Sequence, residues 1–342
     1  MYFNGINFKD NSEYSYACAK IRALENKLLT RNDFIRMLDL DNEQILQYLI
    51  DHNYHVEGID PSDVNFLQVF SNEWSSVVEM VTEMLDNEMI NKAVLIKYDF
   101  LNLKILVKTS IQNDEERQNV DDIKLFQVTT VPGDDLKEIF FEGNFDRLPD
   151  YLKHEIKVFE QIENISPSAV DIILDKAMYS KLLDFANKSG SEFLYKYYQR
   201  LVDLKNLLNL FRLKSLNKEF KDYSMILMEG GLLDTSTLSK LYAESMDMIV
   251  NRLHYLDYYN ELKAGFDYYE QTNSLSEMER LFDNWMIEFV KTGKMVLFGP
   301  EAIIGYYFAK ENELKNLRIV LTGKENNLDK EMVTERLREN YV

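Results

Sequence analysis

Asp99–Lys108 reads DFLNLKILVK, Asp203–Arg212 reads DLKNLLNLFR, and Glu313–Thr322 reads ELKNLRIVLT. Each stretch opens on a carboxylate, places Asn three residues later, and runs on into Leu and an apolar segment. The starts lie 104 and 110 residues apart. A carboxylate and an Asn at i, i+3 share one face of a helix. Asp99 with Asn102, Asp203 with Asn206, and Glu313 with Asn316 are therefore read as structural anchors. They are expected to hydrogen-bond to a neighbouring helix at the same place in each copy, without catalysing anything.

The repeated unit has a front end too. Leu28–Leu38 (LLTRNDFIRML) resembles Leu232–Tyr242 (LLDTSTLSKLY): Leu-Leu, a polar cap, then an apolar residue four positions on. Glu229-Gly230-Gly231 introduces the second, and Val131–Phe140 (VPGDDLKEIF) also joins a Gly turn to a helix start. Asp/Glu-x-x-Asn-Leu recurs by chance in helical proteins, but near-even spacing and matching front ends argue against chance. The chain divides into three divergent copies, 1–115, 116–220 and 221–342. A period near 105 residues is much longer than the roughly 34 or 40 residues of common helical solenoids. Thr109–Asp122 and Ser215–Ser224 are polar connections, and Leu328–Val342 is expected as a final helix.

The elements are expected to be helical almost throughout, making the fold all-α. Only 12 Gly and 5 Pro occur in 342 residues, few for the turns that β-rich folds require. Thr30 with Asp33, and Ser274 with Glu277, read as capping boxes. Asp60-Pro61 and Ser166-Pro167 each put a capping side chain before a Pro at a first helical position.

With 46% apolar residues the chain is too apolar for disorder. Its net charge of −19 opposes binding to nucleic-acid phosphates and to an anionic bilayer. A basic protein partner, or solubility alone, suits it better. Cys18 is the single cysteine, so no intramolecular disulfide forms and a reducing compartment is expected. The first 20 residues lack the basic start and apolar core of a signal peptide. The most apolar stretch, Met295–Ala309, is 15 residues long against the roughly 20 needed to span a bilayer, and it contains Pro300 and Glu301.

Sites of chemistry are few. No phosphate-binding Gly-x-x-x-x-Gly-Lys-Ser/Thr loop and no dinucleotide fingerprint occurs, so no cofactor is expected. His52 and His55 are three apart, but a structural zinc needs four ligands, and no metal is expected. Cys18 reads as a buried inert thiol. Asp134-Asp135-Leu136-Lys137-Glu138 has the form DDxxE, which resembles the DDxxD that holds magnesium and diphosphate in helical prenyl-chain enzymes. No second acidic motif accompanies it, and acidic residues also favour a helix's first turn for its dipole. The aromatic run His254–Glu270 reads as wide-core packing, with a protein-contact surface as the alternative.

Taken together, Tyr14–Leu38, DFLNLKILVK, LDKAMYSKLL with YYQRLVDLKNLLNLFRLK, and the segment Phe298–Val342 resemble one family from about Tyr14 to the end. It is the family of the C-type central-stalk proteins of archaeal and bacterial A/V-type rotary ATPases, to which the d-type protein of the eukaryotic vacuolar enzyme also belongs. That resemblance implies three pseudo-threefold-related helical units forming a funnel-shaped socket, without catalysis of its own. It also implies a place on the cytoplasmic face of the membrane, between the D- and F-type shaft subunits and the proteolipid rotor ring. Such a part couples ATP hydrolysis, or synthesis, to transport of protons or sodium ions. The rival reading is a helical scaffold that binds another complex.

Overall fold

Scarce Gly and Pro leave the backbone little reason to turn. The computed structural model describes residues 6, 8–111, 123–162 and 165–342. Among these there are sixteen α-helices and no strand. The polar connection expected over Thr109–Asp122 falls mostly on 112–122, outside the described residues.

The helices sort into two compact units. The first, Asp86–Ala243, holds α5 (Glu88–Ser110), α6 (Gly133–Glu142), α7 (Asp150–Glu160), α8 (Pro167–Lys188), α9 (Glu192–Ser215), α10 (Phe220–Ile226) and α11 (Thr235–Tyr242). Here α8 packs between the long helices α5 and α9, α6 and α7 lie on α5, and α10 lies on α9.

The second unit joins Met1–Leu85 to Glu244–Val342. It holds α1 (Ser15–Glu25), α2 (Arg31–Met37), α3 (Asn42–Asp51), α4 (Phe66–Met84), α12 (Met246–Arg252), α13 (Tyr259–Thr272), α14 (Ser276–Lys291), α15 (Pro300–Glu325) and α16 (Lys330–Arg336). Its centre is α15, touched by α1, α2, α4, α14 and α16. Every residue from Ala302 to Ala309 is buried. A helix apolar all round is a core helix, which accounts for the Ala302–Ala309 part of the apolar stretch noted in the sequence; Met295, Leu297 and Phe298 ahead of it are exposed. No helix among the described residues is long and apolar enough to cross a membrane.

Local signals explain most helix ends. The Thr30 amide donates to Asp33 Oδ2 at 2.7 Å ahead of α2, and Ser166 Oγ accepts from the Ala169 amide at 3.2 Å with Pro167 opening α8. Three expectations need correcting. Asp60 holds Ser62 in a turn, its Oδ1 accepting from the Ser62 amide and hydroxyl, and the next helix waits for the Asn65 cap. Glu277 turns to Arg280, at 2.6 and 2.8 Å, and leaves the α14 start without a side-chain cap. The last helix, α16, stops at Arg336, because the chain beyond it is held by side chains of α15 and its neighbours.

Candidate functional site

The three quoted stretches lie in the C-terminal halves of α5, α9 and α15. Their anchors are deeply buried: Asp99, Asn102, Asp203, Asn206 and Asn316 are 0% exposed and Glu313 is 4% exposed. A polar side chain sealed this far from water must find partners inside the protein.

Each Asn finds them in the backbone of one residue. Asn102 Nδ2 donates to the Phe126 carbonyl at 2.8 Å and its Oδ1 accepts from the Phe126 amide at 2.9 Å. Asn206 holds the Met228 carbonyl and amide at 2.8 and 3.0 Å. Asn316 holds those of Arg338 at 3.1 and 2.8 Å. The partners are non-helical backbone, not the neighbouring helices expected from the sequence. An amide side chain carries a donor and an acceptor side by side, so it pairs with an extended residue as a strand would.

Each carboxylate grips the amide just ahead of a helix cap. The Leu29 amide donates to Glu313 Oε2 at 2.5 Å, ahead of the Thr30 cap of α2. The Leu232 and Leu233 amides donate to the two Asp203 oxygens at 3.1 and 3.0 Å, ahead of the Asp234 cap of α11. The Thr130 amide donates to Asp99 Oδ1 at 2.9 Å, ahead of the Pro132 cap of α6. These are the three front ends read from the sequence. Two glycines there allow close approach. A Cβ on Gly231 would stand 2.0 Å from Asp203 Oδ1, and one on Gly133 would stand 2.6 Å from the Phe126 carbonyl.

The second and third joints match beyond the anchors. Asn217 and Asn327 both take positive φ (52°) just past α9 and α15. The amides that follow close back at 2.9 Å on Leu213 and Gly323, the left-handed stop that Asn tolerates. Seven-residue helices, α10 and α16, come next, and then the residues held by Asn206 and Asn316.

The charges around the joints differ. Glu313 sits in a buried cluster in which Lys310 Nζ lies 2.7 Å from Glu313 and 2.8 Å from Glu73 of α4. Lys310 also stands 3.9 Å over the Tyr54 ring. Tyr54 donates its hydroxyl to Glu313 at 2.5 Å, and Glu73 takes the His55 amide at 2.9 Å and ring nitrogen at 2.8 Å. Burial alone would lower the Lys310 pKa, yet Glu313 and Glu73 outweigh it and raise it. For Glu73, burial pushes the pKa up, but Lys310 prevails and holds it below its ordinary value.

Among the described residues Asp99 is held by neutral donors: the Thr130 amide and hydroxyl and, at 2.8 Å, the Tyr151 hydroxyl. Burial pushes its pKa from 3.8 up to about 6 against those hydrogen bonds. An acid whose folded pKa lies above its unfolded one takes up its proton more readily when folded, so its protonation adds stability as pH falls through about 6 and that stability is lost as pH rises. Relative to Asp99→Asn, the unfolding free energy is expected to gain about 1 kcal/mol between pH 7 and pH 5, and about 3 kcal/mol at most below pH 4. Denaturant titrations of both proteins across that range measure it, and a flat or inverted difference would contradict the assignment.

The other candidates are placed as follows. Among the described residues no group of three or more His, Cys, Asp or Glu is arranged to hold a metal ion. His52 Nδ1 faces the Tyr48 carbonyl at 2.8 Å, with its ring stacked on Tyr48, while His55 turns to Glu73. Asp134 and Glu138 lie near Lys137 and Arg147, at 3.9 and 3.1 Å. Cys18 is 1% exposed, its Sγ donating to the Gly299 carbonyl at 3.4 Å. The aromatic run divides: Tyr258 is buried against Phe282 and Trp285, whereas Tyr255 is exposed. Sequence reasoning missed Lys310 and Glu73. The signal for Lys310 was its place directly after the apolar run Ala302–Ala309, three residues before Glu313.

Residues 17–336 match the model of the ATP synthase (C/AC39) subunit family. The chain is 27% identical to the C-type subunit of the A-type ATP synthase of Methanosarcina mazei, over 96% of this chain and 94% of the relative. It is 25% identical to the C-type subunit of the V-type sodium ATPase of Enterococcus hirae, over 96% and 99%. It is also 25% identical to the C-type subunit of the A-type ATP synthase of Thermococcus kodakarensis, over 94% and 89%.

Proposed function

Because this chain belongs to the ATP synthase (C/AC39) subunit family, we propose that it is the non-catalytic coupling piece of a rotary ATPase rotor. It receives the D- and F-type shaft subunits on one side and the proteolipid ring on the other, at the cytoplasmic face of the membrane. Shaft, socket and ring turn together, driving protons or sodium ions with ATP or making ATP in reverse.

The single observation that carries this reading is the repeated joint. In each, a buried Asn holds a backbone segment 22 to 24 residues onward, and a buried carboxylate holds the front end of a following helix group. The third carboxylate, Glu313, holds the front end at Leu29 near the start of the chain. Copies linked first to second, second to third and third back to first support three units, 1–115, 116–220 and 221–342, closed about a pseudo-threefold axis as a funnel. Contact between a copy and the next front end is also why compact units need not coincide with sequence copies. A part that transmits torque must resist twisting, and buried, fully paired polar joints stiffen a helical core. Comparing ATP hydrolysis with ATP-driven ion transport, in the rotary complex with and without this chain, tests the proposal.

A further inference from the structure

A groove of about 550 Å³ opens on the first compact unit. Its floor is Ile172, Ile173 and Ala177 of α8, with Met225 and Met228 from α10 and the segment beyond it. Glu155 of α7 also lines it. Glu155 is only 8% exposed, and no hydrogen bond reaches its carboxylate among the described residues. The basic side chain beside it is the exposed ring of His154, at 4.0 Å. Burial raises the Glu155 pKa, with His154 and Lys181 pulling weakly the other way. Lys176, also at the groove, is turned to the Met225 carbonyl at 3.3 Å. A nearly sealed carboxylate beside an apolar floor lacks the charge partner such burial calls for.

The groove runs along α8 from Ala169 to Ser180, about 16 Å or three helical turns. That length suits a helix laid into it, reading out anchors at i, i+3 and i+7. Methionine lining adapts to the shape of such a guest. We infer that this groove seats an amphipathic helix of the rotor shaft, with apolar residues on Ile172, Ile173, Met225 and Met228 and one Lys or Arg on Glu155. The inference rests on the coupling function proposed above and assigns that function's shaft contact to a place.

The only native cysteine is buried, so Ser180→Cys, an exposed position at the groove, can be labelled alone with a maleimide photo-cross-linker. In the purified rotary complex the label is expected to join this chain to a shaft subunit. A complex that assembles but gives cross-links only to the ring, or none, overturns the groove assignment and leaves the coupling function standing. In a binding titration with isolated shaft subunits, Glu155→Lys is expected to weaken affinity at least tenfold and Glu155→Gln less, with circular dichroism checking that each variant is folded. Equal binding by wild type and both variants also overturns the groove. If the wild-type chain binds no shaft subunit, the functional reading falls and the inference falls with it.

Discussion

Lys310→Met is expected to destabilise the second compact unit by about 3–5 kcal/mol, the cost of stranding buried charges when one member of a buried ion pair is removed. Methionine keeps the length and apolar stem of lysine, so packing changes little. What changes is charge. Lys310 is the cation between Glu73 and Glu313, all three being 4% exposed or less. Without it two carboxylates face each other in the core, and one must take up a proton. The variant should therefore recover stability as pH falls, and Glu73→Gln in the same chain should restore part of the loss, leaving Glu313 to the Leu29 amide and the Tyr54 hydroxyl. Denaturant unfolding of the single and double variants reads this. A loss below about 1 kcal/mol, within the range of ordinary surface pairs, would mean the cluster is not holding the joint.

The second large effect concerns the asparagines. Asn206→Leu keeps the side chain's volume and removes both hydrogen bonds to Met228, a buried residue. An amide and a carbonyl are then left unpaired away from water, at about 1–3 kcal/mol each. A loss of about 2–5 kcal/mol is expected on that basis, with faster hydrogen exchange at the Met228 amide. Asn102→Leu and Asn316→Leu should release the Phe126 and Arg338 amides in the same way. Unchanged exchange at these three amides would show that the pairs are incidental to how each segment is held.

These residues also show how far the sequence could be read. Three carboxylate–Asn pairs at helical spacing, with front ends spaced to match, stand out in the sequence because they repeat, and in the structure all six side chains are buried and hydrogen-bonded to backbone. The helical class was legible because turn residues are scarce. The partners of the anchors were not. Asn316 meets Arg338, and Glu313 meets Leu29, 284 residues earlier in the chain. No local pattern announces a pairing at that distance. Local signals also misled where tertiary partners intervened. Glu277 looked like a capping residue and is taken by Arg280, while Leu328–Val342 looked like a helix to its end and is pulled straight where Asn316 and Asn340 hold it. The groove beside Glu155 brings together side chains from α7, α8 and the chain around α10, and only folding places them side by side.

The coupling role itself is reached most directly by counting ions moved per ATP hydrolysed. Membrane vesicles carrying the rotary complex can be prepared without this chain, and with it added back. Without it, hydrolysis is expected to persist in the nucleotide-binding head while ATP-driven ion uptake falls to background, and adding the chain should restore uptake without a matching rise in hydrolysis. Vesicles that lack the chain and still move ions at the full ratio to ATP would contradict the role assigned to it.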